Sequence, residues 1–270
     1  MSINSATSKV GVLGGSGLYS IEAIKDVKEI NVETPYGKPS DSLREGVIND
    51  VKVVFLARHG RNHSFTPSEV PYQANIWAMR SLGVKWIISA SAVGSLKKEV
   101  KPLDIVIPNQ FIDRTHNRPL TFFGDGAVAH VSIADPFCSV LSNILFESAD
   151  SLMPKDRTLH RGGTYLCMEG PAFSTRAESR LYQSFGCSVI GMTNHTEARL
   201  AREAEIAYAT LAMVTDYDCW HDKHDNVSVD MIIENLNSNA KLACQIISKA
   251  IKEIGDSTPL SEAHNALQYS

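Results

Sequence analysis

The sequence predicts a single α/β domain built on a mixed central sheet of many strands. Short apolar runs rich in β-branched residues recur along the chain, and most are continuous, as in strands covered on both faces. Stretches with helical periodicity lie between several of them. No repeat or flexible linker divides the 270 residues. We therefore take 1–270 as one domain, with 1–8 and 256–270 as peripheral tails.

Seven apolar runs are predicted strands, because Val, Ile and aromatic residues pack well on a pleated sheet. In chain order they are 9–13, 51–56, 84–90, 104–108, 163–169, 187–192 and 207–214. Polar and glycine-rich segments follow several of these runs, so functional side chains are expected at strand ends.

Five stretches with apolar residues three and four apart are predicted helices. They are 72–82, 134–151, 175–185, 197–205 and a last helix that begins near Ser228. Ser228 suits an N-cap, and Gly255 is expected to end that helix. Segment 109–130 has little regular pattern, and long irregular segments of compact domains often carry function.

Composition and charge exclude several classes of function. A formal net charge of −4 argues against a general nucleic-acid or membrane-surface binder. No apolar run approaches the roughly 20 residues that span a bilayer, and the polar first ten residues do not resemble a signal peptide. We expect a cytoplasmic protein. The five cysteines form no C-x-x-C pair, which argues against structural zinc.

A glycine-rich turn follows the first predicted strand, in KVGVLGGSGLYS (9–20). The dinucleotide fingerprint G-x-G-x-x-G fails in both registers, because Leu13 and Ser20 stand where glycines are required. No glycine precedes Lys-Ser or Lys-Thr, as it would in a Walker loop. Backbone N–H groups and the Ser16 hydroxyl remain available to hold one anion.

Two further segments carry anion-binding groups after predicted strands. LARHGRNH (56–63) supplies Arg58 and His59, and SASAVGSL (89–96) supplies hydroxyls and a glycine. Together they suit a small tetrahedral oxyanion held at strand ends. Taken singly, Arg58 and His59 are also compatible with surface ion pairs, and His59 with His63 is compatible with a metal pair.

Eight longer motifs follow one another along the chain. They are GGSGL (14–18), ARHGR (57–61), YQANIWA (72–78), ASAVGSL (90–96), DIVIPNQFIDRT (104–115), MEGPAFSTRAE (168–178), GMT (191–193) and TDYDCW (215–220). In this order they resemble the trimeric purine nucleoside phosphorylases, and the similarity runs from Val10 to Asn237. Within that family they are most similar to the branch that acts on 5'-methylthioadenosine.

The resemblance implies a mixed sheet partly curled into a barrel and flanked by helices, as in phosphorylase/hydrolase-like folds. It implies cleavage of a purine nucleoside by inorganic phosphate, with no metal or organic cofactor and no nucleic-acid or membrane partner. It also implies active sites near the subunit interfaces of a homotrimer, or of a hexamer built from two trimers.

The resemblance further implies the site residues. Phosphate is expected at Ser16, Arg58, His59, Ser91, Ala92 and Thr193. The nucleoside is expected at Phe173, Ser174, Met192, Asp216, Asp218, His130, Ile232 and Ile233. His130 is expected to reach the 5' side from a neighbouring subunit, and the catalytic residues are expected to be His59, Asp216 and Asp218.

The chemistry of phosphorolysis explains why Asp216 suits this role. The bond between C1' and N9 breaks through an oxocarbenium-like state, so phosphate must lie beneath C1' and the purine N7 must receive a proton. Asp216 follows an apolar strand, where burial is expected to raise its pKa. A neutral carboxyl group offers a donor to N7 and an acceptor to the exocyclic amine of adenine. A 6-oxopurine is better matched by an amide.

Two other positions favour the methylthioadenosine branch. Ser174 stands where the 6-oxopurine enzymes of the family carry Glu, and Ile232 and Ile233 suit an apolar 5' substituent. The alternatives are a phosphorylase of broader or 6-oxopurine specificity, a non-catalytic purine or phosphate binder, and a hydrolase. Relatives commonly read Pro-Glu after GMT and one further small or apolar residue, whereas this chain reads Asn-His-Thr-Glu (194–197). We assign no role to His195.

Overall fold

The computed structural model describes residues 9–15, 24–221, 229–268 and 270, except for the side chains of 229–234 and 236. Its strands are β1 (Lys9–Gly14), β2 (Lys25–Ile30), β3 (Leu43–Ile48), β4 (Val51–Ala57), β5 (Val84–Ser95), β6 (Ile105–Ile107), β7 (Gln110–Arg114), β8 (Leu159–Arg161), β9 (Thr164–Met168), β10 (Val189–Gly191) and β11 (Ala207–Asp216). Its helices are α1 (Tyr72–Ser81), α2 (Ser139–Asp150), α3 (Arg176–Ser184), α4 (Asn194–Glu203) and α5 (Val229–Ser257), followed by a 3₁₀ turn at Glu262–Asn265.

Within the described residues the strands form one mixed, eleven-stranded sheet that branches at β5. The main path runs β2-β3-β4-β1-β5-β10-β9-β7, while β11 pairs with both β5 and β6, and β6 also pairs with β8. Strands β4, β1, β5 and β11 are mutually parallel, so their carboxyl ends share one edge. The sheet is mixed and flanked by helices as expected, and β2 and β7 end its main path without closing it into a barrel.

The branch leaves a gap beside β5 that matters for the site. Pairing of β1 with β5 ends at Leu13 opposite Ser89, and pairing of β10 with β5 covers only Gly94 and Ser95. On that side of the strand, residues 90–93 have no ladder partner within the described chain. The backbone groups that point to that side, such as the Ala90 carbonyl oxygen, therefore face a space between two strands instead of another strand. We call this space the β5 gap.

Helices cover both faces of the central strands. Helices α2 and α5 pack on one face, against side chains such as Val12 and Ile88. Helices α1 and α4 pack on the other, against side chains such as Leu13 and Ile87. Neighbouring residues on a strand thus enter opposite cores, which explains why the predicted strands read as continuous apolar runs. None of the helices described here has the length and apolarity to cross a bilayer.

All seven predicted strands and five predicted helices are present with shifted ends. Strand β5 continues five residues further, to Ser95, and α4 begins three residues earlier, at Asn194. Ser228 lies outside the described residues. The expectation that Gly255 ends the last helix is wrong, because α5 continues to Ser257. A Cβ at Gly255 would overlap the Val51 side chain, so this glycine allows close packing on β4.

Four strands were not predicted from the sequence: β2, β3, β7 and β8. Strand β2 is a mostly exposed edge strand with charged side chains, so it carries no apolar pattern. Strand β7 lies inside 109–130, so the expectation of an irregular segment is wrong for residues 110–114. Its side chains are only partly buried, and its pairing with β9 is a long-range contact.

Strands β9 and β10 approach closely at Gly191, beside the β5 gap. A Cβ at this position would lie 2.6 Å from Cζ of the fully buried Tyr165 and nearer still to its hydroxyl. We therefore expect Gly191→Ala to lower the free energy of unfolding by about 1–3 kcal/mol, through overpacking.

Urea denaturation checks this prediction, with Gly124→Ala as the matched control. An added Cβ at Gly124 meets no described atom within 4 Å outside its neighbouring residues, so its cost is expected to be small. Equal losses of stability in the two variants would contradict the packing described for Gly191.

Candidate active site

Arg58 lies at the carboxyl end of β4 and faces the start of the β5 gap. Its backbone N–H donates to the Gly14 carbonyl oxygen over 2.9 Å. Its side chain is buried, with Nη1 donating to the Ala90 carbonyl oxygen at 3.2 Å and Nη2 to Ser89 Oγ at 2.6 Å. Nε and Nη2 also donate to the two carboxylate oxygens of Glu197. The ion pair with Glu197 raises the pKa of Arg58, so the guanidinium stays charged.

Ser91 and Ala92 belong to the β5 gap, and Thr193 follows β10, the next strand of the sheet. Because Ala90 turns its carbonyl oxygen toward Arg58, the alternation of a strand turns the backbone of Ala92 the same way. The Ser91 hydroxyl lies 3.3 Å from that of Tyr165. Thr193 is the N-cap of α4, but its side chain caps no backbone N–H. These groups are hydrogen-bonding partners suited to a small oxyanion.

His59 is a neutral imidazole in this structure. Its Nδ1 lies 2.9 Å from the Phe65 carbonyl oxygen, which can only accept, so Nδ1 carries the hydrogen and Nε2 is left as an acceptor. Its ring stacks on His63, with centroids 4.8 Å apart. Burial, together with the positive charge of Arg58, lowers the pKa of His59 to about 4. His59 can therefore accept a hydrogen bond from a phosphate hydroxyl group, and it contributes no charge near neutral pH.

Asp216 and Asp218 lie at the end of β11, beside the far end of the β5 gap. Both are buried, and Asp216 is only 5% exposed. Gly94 on β5 makes room for them, since a Cβ there would lie 3.0 Å from Asp216 Oδ1. Burial raises the pKa of both carboxyl groups, as the sequence led us to expect for Asp216. Oδ2 of Asp218 has no hydrogen-bond partner among the described residues.

Two hydrogen bonds reach the carboxyl group of Asp216. Thr215 Oγ1 donates to Oδ2 over 2.7 Å and also lies 3.2 Å from the Val93 carbonyl oxygen. Oδ1 accepts the backbone N–H of Asp218 at 2.7 Å. Burial raises the pKa of Asp216 although both of these bonds oppose the rise.

Ser174, Met192 and Phe173 differ in their surroundings. Ser174 is buried, and its carbonyl oxygen accepts from Cys219 Sγ at 3.1 Å, which ties it to the segment after Asp218. Met192 packs against Gly170, where an added Cβ would lie 3.3 Å from its terminal methyl group and closer to its sulfur. Phe173 is 47% exposed, so its ring is available as one wall of an open cleft.

Four predicted residues are not placed at this site by the structure. Ser16 lies outside the described residues, and so do the side chains of Ile232 and Ile233. His130 is exposed and lines two surface grooves, one of about 350 Å³ with Val128 and one of about 1160 Å³ with Arg161. Neither Arg58 nor Asp216 lines either groove.

Two buried clusters of polar side chains contact the predicted site residues, and the sequence analysis assigned no role to either cluster. One surrounds Glu197, whose Oε2 also accepts from Tyr208 Oη at 2.7 Å and Ser89 Oγ at 3.0 Å. The other centres on Arg118, which donates to the Met192 carbonyl oxygen at 3.0 Å and to Glu169 Oε1 at 3.1 Å. The sequence signal for Glu197 was its place after GMT, where relatives also carry Glu.

His195 is buried against β7 in the first turn of α4. Its side chain is fully buried, with Nε2 3.2 Å from Asp113 Oδ2 and its ring edge-on to Phe111. Burial lowers its pKa below the ordinary value of 6.5, although Asp113 opposes this. The folded state therefore favours the neutral ring.

Because His195 is buried as a neutral ring, we expect the folded protein to lose stability in acid. The folded pKa of His195 lies below its unfolded value, so its protonation favours the unfolded chain. Stability is retained above about pH 6.5 and is lost as the pH falls below that value. We expect His195→Leu to flatten the decline in melting temperature between about pH 7 and pH 5.

Thermal unfolding in matched buffers checks the slope, with His116→Leu at an exposed position as the control. Parallel pH dependence of wild type and His195→Leu would contradict the prediction.

Comparison with known proteins shows the family to which the chain belongs. The sequence profile of the Phosphorylase superfamily matches residues 9–252. An S-methyl-5'-thioadenosine phosphorylase of Prochlorococcus marinus is 67% identical over 263 residues, covering 97% of this chain and 84% of the relative. The protein of that name from Thermosynechococcus vestitus is 60% identical, covering 97% of this chain and 91% of the relative.

Solved structures agree in fold. A methylthioadenosine phosphorylase from an antarctic soil metagenomic library is 53% identical with a TM-score of 0.93, covering 98% of this chain and 92% of that one. The Schistosoma mansoni methylthioadenosine phosphorylase, solved in complex with adenine, is 39% identical with a TM-score of 0.87, and the alignment covers 92% of each chain. This chain belongs to the Phosphorylase superfamily, and within it to the S-methyl-5'-thioadenosine phosphorylases.

Proposed function

We propose that this chain cleaves 5'-methylthioadenosine with inorganic phosphate, giving adenine and 5-methylthioribose 1-phosphate in methionine and purine salvage. One observation carries the proposal: the β5 gap has oxyanion-binding groups at one end and a buried carboxyl pair at the other. The relatives' shared name supports the same substrate. So does a variant of the Schistosoma mansoni enzyme that was solved in complex with methylthioadenosine.

At the phosphate end, Arg58, Ser91, Ala92 and Thr193 hold the anion beneath C1' of the ribose. His59 Nε2 accepts a hydrogen bond from a phosphate hydroxyl group and so orients it. The oriented anion stabilises the developing oxocarbenium charge and then forms the new bond to C1'. Phosphate is the second substrate, and the proposed reaction requires no metal or organic cofactor.

At the purine end, Asp216 supplies the proton that the leaving group needs. Burial raises its pKa and so favours the protonated form, and N7 becomes more basic as the bond to N9 breaks. The neighbouring carboxyl group of Asp218 accepts from the exocyclic amine or from a water molecule bound to it. A carboxyl donor and a carboxyl acceptor together match adenine better than a 6-oxopurine.

The 5' side of the substrate is completed by a second copy of the chain in this proposal. His130 is exposed at the surface and is therefore available to a neighbouring site. Ile232 and Ile233 supply the apolar surroundings that a methylthio group requires. The proposal includes a homotrimer, or a hexamer of two trimers, and a cytoplasmic location.

Adenine release measures the reaction directly. With 5'-methylthioadenosine as substrate, we expect release to require phosphate and to be faster than base release from inosine or adenosine. Release that is independent of phosphate would indicate a hydrolase. Faster turnover of inosine would indicate a 6-oxopurine phosphorylase.

Replacement of the proton donor gives a sharper test of base recognition. We expect Asp216→Asn to lower kcat/KM for 5'-methylthioadenosine by about 10²–10³, because an amide cannot protonate N7. The ratio of inosine to methylthioadenosine turnover should rise, since an amide matches a 6-oxopurine. Asp50→Asn on an exposed turn is the control, and an unchanged ratio in Asp216→Asn would show that Asp216 does not read the base.

A further inference from the structure

We propose that Glu197 is a positioning residue that fixes Arg58 and makes the phosphate site electrically neutral before substrate binds. The proposal rests on the function proposed above and deepens it. It explains why the guanidinium of the phosphate site is paired with a buried carboxylate on another element, instead of being left free for the anion.

Arg58 has one N–H donor left for an anion. A guanidinium group carries five N–H donors. Nε and one hydrogen of Nη2 are used by Glu197, the other hydrogen of Nη2 by Ser89, and one hydrogen of Nη1 by Ala90. One N–H of Nη1 remains. A Cβ at Gly15 would lie 3.9 Å from Nη1, so this donor lies beside the glycine-rich turn.

The carboxylate of Glu197 is itself held in place by several hydrogen bonds. Glu197 Oε2 accepts from Tyr208 and Ser89 as well as from Arg58. Asn194 Nδ2 donates to Tyr208 Oη at 2.6 Å and thereby holds the tyrosine in place. A side chain held by three donors cannot turn away, so the direction of the Arg58 fork is set by α4 and β11.

The described side chains of the phosphate end carry no net charge. The side chains of Arg58 and Glu197 are each only 3% exposed, so solvent does not screen one charge from the other. His59 is neutral near pH 7 because its pKa is about 4. Residues 16–23 contain no Lys, Arg or His. Among the side chains that we place at the phosphate end, positive and negative charges therefore cancel.

Neutrality has a consequence for catalysis. A full positive charge would bind phosphate tightly in the ground state and would compete with the oxocarbenium ion for its negative charge. Binding that is equal or stronger in the ground state does not accelerate the chemical step. A neutral pair that offers one oriented N–H holds the anion in place and leaves its charge available to C1'. Glu197 thus favours turnover over phosphate affinity.

Glu197→Gln tests this role through a split between KM and kcat. The variant leaves the Arg58 charge uncompensated. We expect KM for phosphate to fall about tenfold, while kcat for adenine release falls about a hundredfold. The matched control is Glu203→Gln, because Glu203 is a buried carboxylate on the same helix that accepts from Thr121 Oγ1 and the Phe122 N–H. A merely structural role predicts a raised KM, or losses like those of the control.

Sulfate binding to the wild-type protein gives a measurement that does not depend on the variant's folding. Sulfate is an unreactive tetrahedral dianion, and calorimetry gives its affinity at low and high salt. A neutral site predicts at most about a threefold change between roughly 20 and 200 mM salt, whereas a site with net positive charge predicts a steep loss. A steep loss in wild type would overturn the proposal.

The two experiments separate failure of the role from failure of the function. If wild type releases no adenine with phosphate, the proposed function fails, while the charge of the anion site is still measured with sulfate. If wild type is active and Glu197→Gln behaves like Glu203→Gln, the reaction stands and the positioning role of Glu197 is overturned.

Discussion

The branching of the sheet at β5 is the constraint on which the rest of the structure depends. Strand β5 pairs with β1 at its start, with β10 at its end and with β11 along most of its length. Because pairing with β1 ends before pairing with β10 begins, the backbone groups on one side of 90–93 have no strand partner, while the other side pairs with β11. Buried backbone groups require partners. A phosphate ion and the polar side chains around it can supply them.

The side chains at this gap are held by contacts that only glycine or buried polar groups permit. Gly94 admits the carboxyl group of Asp216, and Gly191 admits the ring of Tyr165 beside Ser91. The pair of Arg58 and Glu197 links β4 to α4, across β5. Removing one member of such a buried pair costs much more than a surface ion pair would, because the other charge is left without compensation. The catalytic groups are thus positioned by the core, not by loops.

The sequence predicted the central strands and helices well because their apolar faces are wide and continuous. It did not predict β2 or β7, whose residues are exposed or half-buried and whose pairing is set by distant strands. It identified Arg58, Ser91 and Asp216 from motifs at strand ends. It did not show that Arg58 is committed to Glu197, or that His59 is neutral, since both depend on burial and on neighbours far along the chain.

By itself, the sequence determined the fold class, the family resemblance and the chemical types at the site: hydroxyls, one guanidinium, an imidazole and two aspartates. These follow from local periodicity and from short motifs. Only the tertiary structure decided the protonation and the charge of those groups. A pKa depends on desolvation and on charges within a few ångströms. The residues that supply these for Asp216 and Arg58 come from β5 and α4, and long-range packing alone brings them together.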